Sequence, residues 1–158
     1  WMAPAEARLR LCNTAIRRDG RLKVFDYEIK NELAGETYHF VQRLQEEQFA
    51  KDEINFSFII GMDNANTCER TWSNWVELEK LVRFIVVPRQ GVKRDPKVDW
   101  YLKPPHLYFG ESDRAIADTA SKEVRRLISM RLYEHETVVA SLDPQVLKLV
   151  KKLKLYRG

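Results

Sequence analysis

Cysteine is scarce in this chain: Cys12 and Cys68 are the only thiols in 158 residues, and no C-x-x-C spacing joins them. Isolated thiols argue against a zinc site or a disulfide framework, both of which need clustered cysteines. Long hydrophobic runs are missing too, since no apolar stretch approaches the ~20 residues that a membrane-spanning helix needs. The first residues show no signal-peptide pattern, so the expected setting is cytoplasmic, with no membrane partner. Familiar catalytic signatures are also absent: there is no G-x-S-x-G, no H-E-x-x-H and no P-loop. His39, His106 and His135 stand far apart in three different contexts. A metal site built from them is not expected, and each reads as structural or exposed. No internal repeat or low-complexity segment is visible.

What is present describes a folded domain. Apolar residues make up 44% and charged residues 32% of the chain, which is ordinary for a globular protein and far from the composition of disorder. A length of 158 residues suits one domain with a real core, here read as spanning 1–158. The net charge of +4 comes from interspersed acids and bases. It favours a small anionic ligand without requiring nucleic acid. Trp1-Met-Ala-Pro4 reads as the tail of a strand running into a loop, so further residues ahead of Trp1 are expected.

The organising stretch is Phe56-Ser-Phe-Ile-Ile-Gly-Met-Asp63. Its continuous apolarity predicts a strand buried on both faces of a parallel sheet. Ligands of open α/β sheets sit beyond the carboxyl ends of such strands, which is where Gly61 and Asp63 fall. Around it, Ala5 to Arg18 carries the apolar spacing of an amphipathic helix ended by Asp19-Gly20. Lys23 to Asp26 reads as a short strand, with Asp26 and Glu28 as solvated or capping acids. Helices are predicted over Tyr38–Ala50, with Phe49 inward, over Trp75–Leu81 and over Thr119–Leu132, the last capped by Thr119 or Ser121. Further strands are predicted at Phe84–Val87 and His106–Phe109. Residues 92–105, with three prolines and four basic residues, read as a long irregular loop of the kind that forms lids or stays mobile. Leu142-Asp-Pro144 starts a terminal helix, proline being tolerated at its first position. Its basic face, Lys148, Lys151, Lys152 and Lys154, reads as solvated, with the opposite face docked. Strand–helix alternation through the chain argues for an α/β fold: a Rossmann-like parallel sheet with helices on both faces, in a single domain.

Three groups of residues could carry chemistry. Gly61 and Asp63 close a buried strand, where a carboxylate can accept hydrogen bonds from ribose hydroxyls. Thr71-Trp-Ser-Asn-Trp75 offers an indole to a flat ring and backbone N–H groups to an anion. Ser121, Lys122 and Arg125 occupy the first turns of a helix, a setting that suits phosphate.

In order and spacing these segments resemble the nicotinate-nucleotide adenylyltransferases of the bacterial type. The matching stretches are Ala7-Arg-Leu-Arg-Leu11, Val24-Phe-Asp-Tyr-Glu28, Glu36-Thr-Tyr38, Phe58-Ile-Ile-Gly-Met-Asp63, Thr71-Trp-Ser-Asn-Trp-Val-Glu-Leu78 and Phe84-Ile-Val-Val-Pro-Arg-Gln-Gly91. They continue with Ala120-Ser-Lys-Glu-Val-Arg125, set against the family's I-S-S-T-x-I-R, then Leu142-Asp-Pro-Gln-Val146 and Leu155-Tyr156. The G-x-D strand followed by T-W-x-x-W and R-x-G is the most specific part. The resemblance implies adenylyl transfer from ATP to nicotinate mononucleotide, giving deamido-NAD and pyrophosphate, with Mg2+ accompanying ATP. It implies that Trp72 stacks on the pyridine ring and that the Ser73 N–H, near Tyr38 and His39, receives the carboxylate. Gly61 and Asp63 would border the ATP side of the cleft, and Ser121, Lys122 and Arg125 would hold its phosphates. His39 stands where the family usually has threonine, Ser73 where it often has tyrosine, and Lys122 replaces a hydroxyl residue. The family's G-x-F-x-P-x-H-x-G-H element has no match in this chain, so a first βα segment is expected ahead of Trp1 and the chain alone is expected to have little activity. A homo-oligomer is compatible with this reading. Two alternatives are carried beside it: a nucleotide-binding module of the same fold without catalysis, and an RNA-associated basic domain using the 92–105 loop and the lysine helix.

Overall fold

A computed structural model describes residues 2–33, 35–48, 56–110 and 121–157. The chain divides into two compact units, residues 32–118 and residues 1–31 with 119–158, and each is described by itself.

The first unit is built on a parallel sheet of three strands in the order β1-β2-β3: β1 (Ser57–Gly61), β2 (Arg83–Val87) and β3 (Leu107–Tyr108). The fold class is α/β, as the strand–helix alternation implies. Parallel strands need a long crossover. Between β1 and β2 it is supplied by α4 (Met62–Ala65), α5 (Cys68–Thr71) and α6 (Trp75–Leu81). Ile60 faces Val86 in the register and Phe58 faces Phe84. These side chains form one face of the sheet and pack with Val41 of α3 (Thr37–Arg43) and Leu78 of α6 into a single apolar cluster. Phe84 is its centre, with its ring 5.2 Å from that of Trp75 and 5.5 Å from that of Trp100. Burying one such side chain contributes roughly 1.5–3 kcal/mol.

The other face of β1 departs from expectation. Ile59, paired with Ile85 and through it with Leu107, is 70% exposed. Continuous apolarity in Phe56–Met62 therefore does not mean burial on both sides, because the helices of this unit cluster on the Phe84 face. The strand also ends a residue early, with Met62 turning into α4.

The segment 92–105 is not a free loop. Asn66 donates to the Lys93 carbonyl at 2.9 Å and accepts from the Asp95 N–H at 3.0 Å. The Trp100 indole N–H donates to the Ala65 carbonyl at 3.1 Å. Val98, Trp100 and Tyr101 are buried, so apolar anchors spaced among the prolines tie the segment to the core. The predicted helix from Tyr38 is seen as α3 followed by one wider π turn over Leu44–Gln48. Phe49 and Ala50 lie outside the described residues.

The second unit is helical: α1 (Ala5–Ile16), α2 (Tyr27–Lys30), α7 (Ser121–Ser129), α8 (Glu136–Ser141) and α9 (Pro144–Lys152). Lys23–Asp26 forms no strand, since no ladder partner reaches it among the described residues. Phe25 instead stacks on Tyr27, with ring centres 5.6 Å apart. In α9 the Asp143 carboxylate accepts from the N–H groups of Gln145 and Val146, and Pro144 opens the helix, as the Leu-Asp-Pro signal predicts. Val146, Leu147 and Val150 are buried against Val124, Leu127, Ile128 and Val138, which leaves the lysine face outward. The helix α7 ends at Ser129 rather than Leu132, because Arg131 takes a left-handed conformation (φ +62°) and the Leu132 N–H turns back to the Leu127 carbonyl. Thr119 lies outside the described residues. Among those residues, no helix is long and apolar enough to cross a membrane.

Candidate functional site

The turn between α5 and α6 is shaped by Asn74, whose φ of +53° is left-handed, a conformation asparagine accepts more readily than most residues. It reverses the chain so that the two tryptophans diverge. Trp75 enters the core, whereas Trp72 stays half-buried with its ring edge-on to Trp75 and Phe84, both at 6.1 Å. The Trp72 N–H is tied back to the Cys68 carbonyl at 2.9 Å, and the Thr71 hydroxyl to the Thr67 carbonyl at 3.0 Å. An indole fixed on two sides by aromatic neighbours presents a set plane to a ligand.

Across from this turn lies the start of α3. Gly35, Glu36 and Thr37 join Thr71, Trp72 and Ser73 around a depression of about 310 Å³. Two of the sequence-predicted residues, Trp72 and Ser73, are thus brought together here. Tyr38 and His39 sit one step aside. The Tyr38 ring is half-buried against the core, while His39 is exposed, with its Nε2 3.1 Å from the Glu36 carboxylate. The residues that line the depression from this helix are therefore Glu36 and Thr37.

The end of β1 forms a second locus in the same unit. The Arg89 guanidinium donates to Asp63 Oδ2 at 2.6 Å, and the other oxygen, Oδ1, is buried without a hydrogen-bond partner. A buried carboxylate oxygen left unpaired is costly and marks a place where a hydroxyl or amine can donate. Gly61 makes room for it, because a Cβ there would come within 2.5 Å of Oδ1. Sequence reasoning did not single out Arg89 or Glu36. The only signal for Arg89 lay in the R-x-G segment, 26 residues beyond Asp63.

In the helical unit, Ser121 and Arg125 share one turn of α7, with the guanidinium donating to the Ser121 hydroxyl at 3.2 Å, while Lys122 is exposed. Both border a depression of about 320 Å³ walled otherwise by Ser141 and by mostly apolar side chains, including Leu11, Val124, Ile128 and Tyr156. Neither thiol lines these two depressions. Cys12 is exposed and Cys68 is buried, and burial pushes the Cys68 thiol up to about 12. No group of three or more His, Cys, Asp or Glu side chains able to hold a metal ion exists among the described residues.

No family model matches the chain. Curated relatives do. The chain is 26% identical, over 98% of its length and 75% of the relative's, to a protein of Clostridium botulinum (strain Kyoto / Type A2) named probable nicotinate-nucleotide adenylyltransferase. It is 24% identical, with the same coverage, to a protein of that name from Clostridium acetobutylicum. The resemblance drawn from the motif order is borne out by these relatives.

Proposed function

We propose that the protein transfers the adenylyl group of ATP to a pyridine mononucleotide, nicotinate mononucleotide being the substrate in its relatives' names, to give a dinucleotide and pyrophosphate. The observation that carries this reading is the meeting of Trp72 and Ser73 with Thr37 around one depression, in a chain whose similarity to those relatives runs nearly end to end. An aromatic plane flanked by hydroxyl groups suits a flat heteroaromatic ring with one polar substituent.

In this mechanism an oxygen of the mononucleotide phosphate attacks the α-phosphorus of ATP. The bond from that phosphorus to the bridging oxygen breaks, and pyrophosphate leaves. Such chemistry needs positioning and charge stabilisation rather than a covalent intermediate. Trp72 fixes the ring, the Ser73 N–H addresses its substituent, and Asp63 Oδ1 accepts from a nucleotide hydroxyl above Gly61. Arg89 orients Asp63 through the hydrogen bond to Oδ2. In the helical unit, taken by itself, Ser121, Lys122 and Arg125 are residues suited to hold a phosphate group. Where Mg2+ accompanies ATP, it would supply neutralisation of charge on the phosphates, and among the described residues no cluster of His, Cys, Asp or Glu stands ready to hold it. A cytoplasmic setting belongs to the same reading.

The test is pyrophosphate release by the full-length protein, with any residues encoded ahead of Trp1 included. Turnover that depends on both ATP and the mononucleotide is expected. Binding of both without turnover would point to the nucleotide-binding module, and the absence of binding and turnover alike would overturn the assignment.

A further inference from the structure

The helix α4 that carries Asp63 is too short to hold itself. It has four residues and no side-chain cap at its start, and one turn of helix does not repay the entropy of forming it. Its geometry is set instead by one distant stretch, residues 89–100. The Arg89 guanidinium donates to Asp63 Oδ2 at 2.6 Å, and the Trp100 indole N–H donates to the Ala65 carbonyl at 3.1 Å. Between these two ties, Asn66 uses both ends of its amide. Its Nδ2 donates to the Lys93 carbonyl at 2.9 Å, and its Oδ1 accepts the Asp95 N–H at 3.0 Å. A carboxylate only accepts and an ammonium group only donates, so this double tie suits an amide. Asn66 stands at the C-cap of α4, three residues past Asp63, and is half-buried.

We infer that Asn66 is a positioning residue for nucleotide binding: by fastening the stretch 89–100 to α4, it fixes where Asp63 Oδ1 stands. The inference rests on the reading above, in which that oxygen accepts from a nucleotide hydroxyl. Oδ1 is buried without a hydrogen-bond partner, and a Cβ at Gly61 would come within 2.5 Å of it. A hydrogen bond made in so confined a place tolerates little error in distance or angle. Arg89 holds the side-chain end of Asp63, whereas Asn66 and Trp100 hold the backbone that carries it. Trp100 belongs to the apolar core. Asn66 is therefore the tie that can be cut without emptying the core or removing the partner of Asp63. Once it is cut, α4 can shift. The cost falls on the substrate that Asp63 addresses and not on the reacting atoms, hence on KM rather than kcat.

The experiment is a double-mutant cycle on the full-length protein: native, Asn66→Ala, Asp63→Ala and the two combined, with thermal melting to show that each folds. Steady-state kinetics vary ATP and nicotinate mononucleotide in turn; calorimetric dissociation constants replace KM where turnover is absent. Asn66→Ala should raise the KM of the same substrate that Asp63→Ala affects, ATP on the reading above, by about tenfold, as for residues coupled in one network. The other KM and kcat should stay within about twofold of native. With Asp63→Ala already in place, Asn66→Ala should add no further rise, which a merely structural role would not produce. Asn66→Asp keeps the acceptor for the Asp95 N–H and loses the donation to Lys93, so it should give a smaller rise and carries the test if Asn66→Ala fails to fold. Hydrogen exchange should show the Asp95 amide losing protection in Asn66→Ala and keeping it in Asn66→Asp. Unchanged KM values, an equal rise for both substrates, or additive effects in the cycle overturn the assignment of Asn66 and leave the nucleotide reading intact. A native protein that neither binds nor turns over the two substrates overturns both.

Discussion

Two glutamate–histidine pairs stand in the sheet-bearing unit, and they do opposite things. Glu36 and His39 meet at 3.1 Å on an exposed rim, both side chains about half open to solvent. Glu79 and His106 meet at 3.5 Å with the histidine side chain only 2% exposed. The buried imidazole has a second obligation that the exposed one lacks: its Nδ1 accepts the backbone N–H of Phe84, at 3.1 Å. In sequence the pairs are indistinguishable, two acids and two imidazoles in a chain rich in charge. Their roles are set by what else each histidine must satisfy, a strand amide in the core or a carboxylate beside a ligand-sized depression.

The largest expected break in this comparison is His106→Ala. It removes the acceptor of a buried N–H and opens space between Phe84 and Trp100, whose rings lie 5.8 and 5.0 Å from the imidazole. The loss of stability should be about 2–4 kcal/mol, combining an orphaned donor with a core cavity. His39→Ala should stay within about 0.5 kcal/mol of the native protein, as exposed pairs do. Chemical denaturation of the two variants under one condition measures the contrast. Equal losses would mean that burial does not separate the pairs.

Trp72→Ala should have a smaller effect on folding and a selective one on binding. The stacking that it removes is worth about 1–3 kcal/mol by analogy with bases on aromatic side chains, so the KM for the mononucleotide should rise about tenfold or more with the KM for ATP little changed. Steady-state kinetics varying each substrate in turn separates the two. A shift confined to ATP would place the pyridine ring elsewhere.

The elements legible in the sequence were those whose signals are local. The helix Trp75–Leu81 follows from its own spacing, the start of α9 from Asp143-Pro144, and the strands near Phe58 and Phe84 from short apolar runs. The misreadings involve partners distant in the chain. Lys23–Asp26 has strand-like composition, but a strand exists only with a neighbour to pair with. Ile59 is as apolar as Ile60 and is left open because the helices of its unit gather on the other face of the sheet. The segment 92–105 looked free until Asn66, far back in the chain, was seen to hold it. The same holds at the site. Trp72 and Ser73 announce themselves in T-W-x-x-W, whereas Arg89 and Glu36 are ordinary surface charges until Asp63 and the depression are placed beside them. The capping of α8 by His135, which accepts from the Thr137 N–H, was invisible for a related reason, since Ser, Thr, Asp and Asn are the usual capping residues.

The finest distinction between the pairs is their response to acid. Burial holds the pKa of His106 below the ordinary imidazole value of 6.5, outweighing the opposite pull of Glu79. The neutral ring is thus the folded form, as an Nδ1 that accepts a hydrogen bond requires. A base whose pKa is depressed by folding contributes stability that is fully present above its unfolded value and is lost as pH falls through the folded one. The groups facing His106 are few: Glu79 from α6, and the uncharged rings of Phe84 and Trp100. Protection of the Phe84 amide against hydrogen exchange, corrected for the intrinsic pH dependence of exchange, should therefore be constant above about pH 7 and decline below about pH 6.5, the reference imidazole range. In His106→Gln the side-chain carbonyl can take the same N–H without titrating, so the decline should flatten, whereas in His39→Ala it should persist unchanged. Protection that falls equally in native protein and His106→Gln would assign the acid sensitivity to another group and leave the buried pair as packing alone.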